Sequence, residues 1–367
     1  MTDRSGPSRR AMLLSGASLT IASPFVHLGA ARADNREIVV ASWGGSRTTA
    51  MREVMFAPFE QATGIRVRDD GPPEAAKVKA MVESGNVTWD ILDTDIPAIL
   101  AMVNAKLLEP IDYAKIDKAK LARIPSVLHH PYGLGHLIYS FNIVYNTKTF
   151  PNGTQPKTWA EVWDGVRFKG ARCFPFRGGL SPQLEFAAIA DGVSVDKVYP
   201  LDIERAWSSM DRLRPLVTKW YATHAEAIQL LSSGEIDICC TIGPRGLVAK
   251  KEGAPIDVEF AGGKLAPDNW AIVKGARNTE AIYQFLNFVI DGKVQAELAK
   301  RIPYGPSSQD AFAHLSEAES RQLNTSPENL AKQFWTDIEW WGKVAENGKT
   351  NNENQIERYA RWMVKRA

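Results

Sequence analysis

The sequence predicts a two-lobed α/β fold, each lobe a mixed, mostly parallel sheet flanked by helices. Strand-like and helix-like stretches alternate from Glu37 to Ile290, and strands separated by helices call for a parallel sheet covered on both faces. The alternation starts afresh beyond the long strand-like run Leu137–Asn146, which contains no Gly or Pro. Roughly 330 residues also exceed the size at which one hydrophobic core stops growing.

Residues 1–33 read as a targeting segment and are set apart from the fold. Arg9 and Arg10 precede an apolar run from Ala11 to Phe25, and Ala31-Arg32-Ala33 is a small-x-small cleavage site. Paired arginines in this position resemble the twin-arginine export signal. The run is too short to span about 30 Å of hydrocarbon. Export to the periplasm is the expectation, with the exported chain beginning near Asp34. Without residues 1–33 the basic count falls from 44 to 40 and the acidic count from 42 to 41, a net charge of −1. A near-neutral chain has no basic stripe for nucleic acid, and no later stretch is apolar for long enough to cross a membrane.

In chain order, Ile38–Ala41 reads as a short buried strand, followed by Trp43-Gly44-Gly45 and a helix over Thr49–Thr63. A strand at Ile65–Val67, a helix at Ala75–Glu83 and a strand at Trp89–Leu92 follow, the last leading into Asp93-Thr94-Asp95. Leu137–Asn146 is a first crossover between lobes. The second lobe has a helix starting at Thr158-Trp159, a strand from Ala171 that ends in glycines, helices at Gln183–Ala190, Ile203–Leu213 and His224–Ser232, and a strand at Glu235–Thr241. Ile256–Phe260 is a second crossover, with a further strand at Asn269–Val273, helices at Glu280–Ile290 and Gln295–Lys300, and a rigid turn at Pro303-Tyr304-Gly305-Pro306. The expected division is 34–141 for the first part of lobe 1, 142–262 for lobe 2, 263–314 for the return to lobe 1 and 315–367 for C-terminal helices packing on the lobes. Trp335, Trp340, Trp341 and Trp362 lie in that last region and are expected to pack.

Three cysteines leave at least one unpaired. Alternation puts Cys239 and Cys240 on opposite faces of a strand; buried unbridged cysteines are the expectation, with a Cys173 bridge to one of the pair as the alternative. His129, His130 and His136 show no metal-ligand spacing and read as surface or loop residues. No metal and no cofactor are expected.

In open α/β sheets ligands bind at the carboxyl ends of strands. Trp43-Gly44-Gly45 and Asp93-Thr94-Asp95 both follow such ends, with Ser46 placed to cap the next helix, so they are candidate walls of one cleft. The plain alternatives are core packing for Trp43 and a helix cap for Asp93 before Pro97.

Beside these pieces stand Pro58-Phe59-Glu60-Gln61-Ala62-Thr63-Gly64-Ile65, Trp89-Asp90-Ile91-Leu92, Tyr145-Asn146, Thr158-Trp159, Ser233-Gly234-Glu235-Ile236-Asp237 and Asp268-Asn269-Trp270-Ala271-Ile272. In that order, over about Ile38 to Ser308, the chain resembles a periplasmic solute-binding protein of an ABC importer, of the broad family that includes spermidine/putrescine-binding proteins. The resemblance implies a type II clamshell with two hinge crossovers, a monomer that delivers its solute to an inner-membrane permease. It implies Trp43 as an aromatic wall, Asp95 near a hydroxyl position, Asp268 as an amine-binding carboxylate and Tyr304 as a ring near the hinge, because carboxylates and an aromatic face both attract a cation.

The chain departs from the polyamine pattern in its second lobe. No acid stands near Gly178-Gly179 and Pro182, where Arg177 lies, and Ile242 and Ala266 hold positions of aromatic walls, with Arg245 close behind the first. Two arginines suit a carboxylate, so the candidate solutes are a polyamine or an ω-amino acid such as γ-aminobutyrate; surface ion pairs are the plain alternative for the arginines. The candidate site is Trp43, Gly44, Gly45, Ser46, Asp93, Asp95, Arg177, Ile242, Arg245, Asp268 and Tyr304. A thiamine-like cation, a sugar or an organic acid are rival solutes. A secreted hydrolase is the remote alternative, disfavoured because the chain has no Gly-x-Ser-x-Gly elbow, no phosphate loop and no complete dinucleotide fingerprint.

Overall fold

The computed structural model describes residues 37–178, 180–181 and 183–364, so the expected export signal, together with Gly179 and Pro182, lies outside the described residues. Its strands are β1 (Glu37–Ala41), β2 (Arg66–Asp70), β3 (Ile91–Asp95), β4 (Leu108–Glu109), β5 (His129–His130), β6 (Gly133–Asn146), β7 (Arg172–Pro175), β8 (Val217–Tyr221), β9 (Ile238–Ile242), β10 (Ile256–Val273), β11 (Gly305–Pro306) and β12 (Phe334–Trp335). The main path through the sheet is β2-β1-β3-β10-β6-β9-β7-β8. At one end β2, β1 and β3 are parallel; at the other, β9, β7 and β8 are parallel. The long antiparallel pair β10–β6 joins the two triplets.

The apolar run of β1 feeds both faces of its triplet. Ile38 and Val40 enter one core with Phe56, Phe59 and Phe285; Val39 and Ala41 enter another with Trp89, Leu92 and Ile99. Burial on both faces is why a parallel strand reads as continuously hydrophobic. The same alternation operates in β9, where Ile238 and Cys240 join the core around Trp159, Phe186 and Trp341 and Cys239 joins the opposite one with Cys173 and Leu231.

Three expectations need correction. Ile256–Phe260 and Asn269–Val273 belong to one continuous strand, β10, because an irregularity between Glu259 and Lys264 absorbs the glycines without ending the pairing to β6. A Cβ on Gly263 would lie 2.4 Å from the Asn142 side-chain nitrogen, so only glycine lets the two crossovers approach there. Strand β8 was not expected at all; an edge strand buries little, and Thr218 and Lys219 are exposed, which hides the alternation. Finally, Cys173 and Cys239 are bridged by a disulfide rather than free, since the parallel register of β7 and β9 sets them side by side with Cα atoms 4.7 Å apart. Cys240 faces the other way, buried and free.

The C-terminal segment covers the second triplet with aromatics. Trp341 is fully buried, and Trp362 packs on Trp207 and Trp220 with ring centroids 5.5 and 5.6 Å apart. Beneath this cover Lys264 of β10 meets Glu185 at 2.5 Å, both side chains essentially inaccessible, and Tyr199 and Trp341 donate to the same Glu185 oxygen. Among the described residues no helix is long and apolar enough to cross a membrane.

Candidate functional site

At the carboxyl end of β1 the chain turns through Trp43-Gly44-Gly45 into the helix Gly45–Met51. Gly44 and Gly45 adopt φ of 76° and 63°, a left-handed conformation costing other residues about 1–2 kcal/mol each. Open space lies beside both glycines. Trp43 is 45 % exposed, so its ring is not part of the core. Ser46 does not cap: the helix begins two residues earlier than such a cap requires, Gly44 occupies the cap position and its N–H donates to Thr48 Oγ1 at 2.9 Å. Ser46 is left exposed in the first turn.

The next residue, Arg47, organises the site. Helical side chains lean toward the helix N-terminus, which carries this guanidinium over the strand ends. Its Nη1 donates to Asp268 Oδ2 at 2.5 Å, and its Nη2 pairs with Asp93 Oδ1. Asp93 is fully buried and also accepts from Ser42 Oγ at 2.8 Å. His136 Nε2 lies 2.9 Å from Asp93 Oδ1, the oxygen that Arg47 also takes, the ring stacked on Trp270 with centroids 3.9 Å apart. Burial pushes Asp93 up, but Arg47, His136 and Ser42 outweigh it and hold the carboxyl below its usual range. Burial, helped by the like charge of Asp93, pushes Asp268 up against the pull of Arg47. Burial also lowers His136, favouring its neutral form.

Asp95 stands directly across the β3–β10 ladder from Asp268. It, not Asp93, caps the helix Ile96–Asn104, accepting from Ala98 N at 3.0 Å. Among the described residues it makes no ion pair, and burial, with Asp268 nearby, pushes its carboxyl up to about 6. Tyr139 of β6 stands close to both acids; burial first, then their charges, raise its phenol well above the usual value.

The second triplet faces this cluster with opposite charge. Arg177 follows β7, and Arg245 lies in the first turn of the helix Gly243–Lys251, which starts after Ile242 at the end of β9. Both arginines are exposed, and neither makes an ion pair among the described residues. His224 bonds Thr241 and Tyr221 through Nδ1 at 3.1 and 3.2 Å; burial, then Arg245 and Arg177, push it down to about 3. Burial raises Tyr304, while Arg245 acts against this as a positive charge and a hydrogen-bond donor. The field of Arg177 reaches Asp95 and Tyr139. The described residues contain no group of three His, Cys, Asp or Glu arranged to hold a metal ion.

Residues 54–331 match the family model described as bacterial extracellular solute-binding protein. The chain belongs to that family. A γ-aminobutyric acid-binding protein of Pseudomonas aeruginosa is 30 % identical over 319 residues, covering 85 % of this chain and 88 % of the relative. The spermidine/putrescine-binding periplasmic protein 1 of Haemophilus influenzae is 24 % identical over 322 residues, covering 84 % and 86 %. An ABC transporter substrate-binding protein from Bradyrhizobium japonicum, solved as a crystal structure, superposes with a TM-score of 0.81 at 32 % identity, covering 89 % of this chain and 99 % of that one. Membership of a solute-binding family sets aside the hydrolase alternative.

In this solute-binding protein Asp93, Asp95, Asp268, Arg177, Arg245 and Tyr304 fall within one electrostatic neighbourhood. Trp43 and Ile242 stand at strand ends, and Ser46 lies exposed in the first helical turn after Trp43. Two expectations change. Asp268 is not a free carboxylate but is paired with Arg47, which it shares with Asp93; and His136 is not a surface residue but a fully enclosed partner of Asp93. Arg47, His136, Tyr139 and His224 were missed. Arg47 carried a signal, being one turn into a helix that begins at a strand end. His136 and Tyr139 carried little, since they stand on a crossover read only as a connector.

Proposed function

We propose that this protein is the periplasmic solute-binding component of an ABC importer, and that its solute carries one amine and one carboxylate, an ω-amino acid of the γ-aminobutyrate type. The observation that carries the reading is where uncompensated charge remains. Asp95 is the one acid of the Asp93–Asp95–Asp268 group without an ion pair among the described residues, while Arg177 and Arg245 stand on the other triplet without carboxylate partners. A guanidinium fork holds both oxygens of a carboxylate. The amine goes to Asp95, with the exposed Trp43 ring contributing roughly 0.5–2 kcal/mol of cation–π attraction. A polyamine would need acids at both ends, and the second triplet offers guanidinium groups instead. The 30 % identical relative named for γ-aminobutyric acid supports the same choice.

Residues 34–141 with 263–314 form one lobe in this reading and 142–262 the other, hinged on β6 and β10. A solute touching both lobes only when they close favours the closed state by its differential affinity, and the closed monomer docks on an inner-membrane permease. Paired Arg9 and Arg10 direct export by the twin-arginine route. The test is a thermal-shift screen of the purified protein against ω-amino acids, diamines, betaines, sugars and diacids. A ligand at 100 times its Kd adds about 2.7 kcal/mol of stability. γ-Aminobutyrate is expected to stabilise; stabilisation by diamines alone, or by diacids alone, overturns the reading.

A further inference from the structure

The Arg47–Asp93–Asp268 cluster has the composition of an occupied cation site. Two carboxylates with side-chain exposures of 0 % and 7 % converge on one guanidinium, itself 14 % exposed. Asp93 and Asp268 come from β3 and β10, strands of the sheet, whereas the cation arrives on the helix that follows the Trp43-Gly44-Gly45 turn. Arg47 therefore reaches the two strand carboxylates from the helix that directly follows the exposed Trp43. Its Nε, buried and without a hydrogen-bond partner, shows that the side chain is held by its two terminal nitrogens alone. The remaining contacts of Asp93, to Ser42 and His136, come from residues outside the Arg47 helix.

We infer that Arg47 is a built-in cation that fills this carboxylate pair and thereby sets specificity, denying a second amine its place so that the cleft rejects diamines. This deepens the amino-acid reading and rests on it for the placement of the solute's own amine at Asp95. Arg47 occupies an oxygen of each carboxylate, so an added ammonium must displace it, and displacing a tethered guanidinium costs both of its charge-assisted hydrogen bonds. Removing Arg47 leaves two buried carboxylates without their cation.

The test titrates putrescine, n-propylguanidine and γ-aminobutyrate into the wild-type protein, Arg47→Ala, and Arg47→Gln/Asp93→Asn by calorimetry. The double variant keeps a single buried carboxylate, Asp268, and so retains the fold if the single variant does not. Both variants, or the double variant alone where Arg47→Ala fails to fold, are expected to gain putrescine and propylguanidine affinity by at least about tenfold. Arg47→Ala/Asp268→Asn is expected to show a smaller gain. No gain in any folded Arg47 variant, or wild-type binding of putrescine as tight as the variants', overturns the inference. A wild type that ignores γ-aminobutyrate while the variants still gain diamines would defeat the solute reading and leave the role of Arg47 standing.

Discussion

Solute binding should weaken on acidification through one group, Asp95. Its carboxyl is pushed up to about 6 by burial and by Asp268 across the ladder, with Arg47 and Arg177 acting the other way. At pH 7 it is therefore about nine-tenths ionised and at pH 5 about one-tenth, and because a cationic amine needs the anion, affinity falls roughly tenfold between them. The folded pKa lies above the ordinary 3.8, so between these values the folded chain holds more protons than the unfolded one. At this group the free protein accordingly gains stability as the pH falls through 6, an effect opposite in sign to the loss of affinity. His224, pushed down to about 3, is silent over this range. Calorimetric titration of γ-aminobutyrate at pH 7, 6 and 5, with Asp95→Asn as control, reads the effect. Affinity that is flat with pH in the wild type, or a decline that persists in Asp95→Asn, would refute the assignment of the amine to Asp95.

Trp43→Ala should cost roughly 0.5–2 kcal/mol of binding, up to about thirtyfold in Kd, with an unchanged melting temperature because the ring is already 45 % exposed. Cys173→Ser should lose up to about 4 kcal/mol of stability in urea titration, the loop-entropy value for cysteines 66 residues apart, while Cys240 stays unreactive to thiol reagents in the native state because it is buried. Lys264→Met leaves Glu185 buried without its cation and should destabilise by about 3–5 kcal/mol; Lys264→Met/Glu185→Gln should recover much of this, as a melting-temperature series would show.

The fold was legible because its signals are local. The buried run of β1 and the helices Gln183–Ala190 and Ile203–Leu213 follow from composition and period, and the structure places them as read, while the strand read at Leu137–Asn146 begins four residues earlier, at Gly133. Strand β8 was not legible, since an edge strand with polar exposed positions has no hydrophobic alternation to detect. The disulfide required the register of β7 against β9, information that no spacing of cysteines contains. At the site, residue types at strand ends pointed to Trp43, Asp95, Arg177 and Arg245. They did not reveal that Arg47 satisfies Asp93 and Asp268, because that pairing joins three elements distant in sequence. A carboxylate read alone looks like a ligand group; the same carboxylate with its guanidinium in place does not.

The central claim is that the cleft takes one amine at Asp95 and one carboxylate at Arg177 and Arg245. Its most direct test is a side-by-side calorimetric titration of the purified protein with γ-aminobutyrate, its N-acetyl derivative, its methyl ester and putrescine. The account predicts binding of γ-aminobutyrate and loss of binding when either end is blocked, with putrescine inert. Putrescine binding as tightly as γ-aminobutyrate, or an ester binding as well as the free acid, would contradict it.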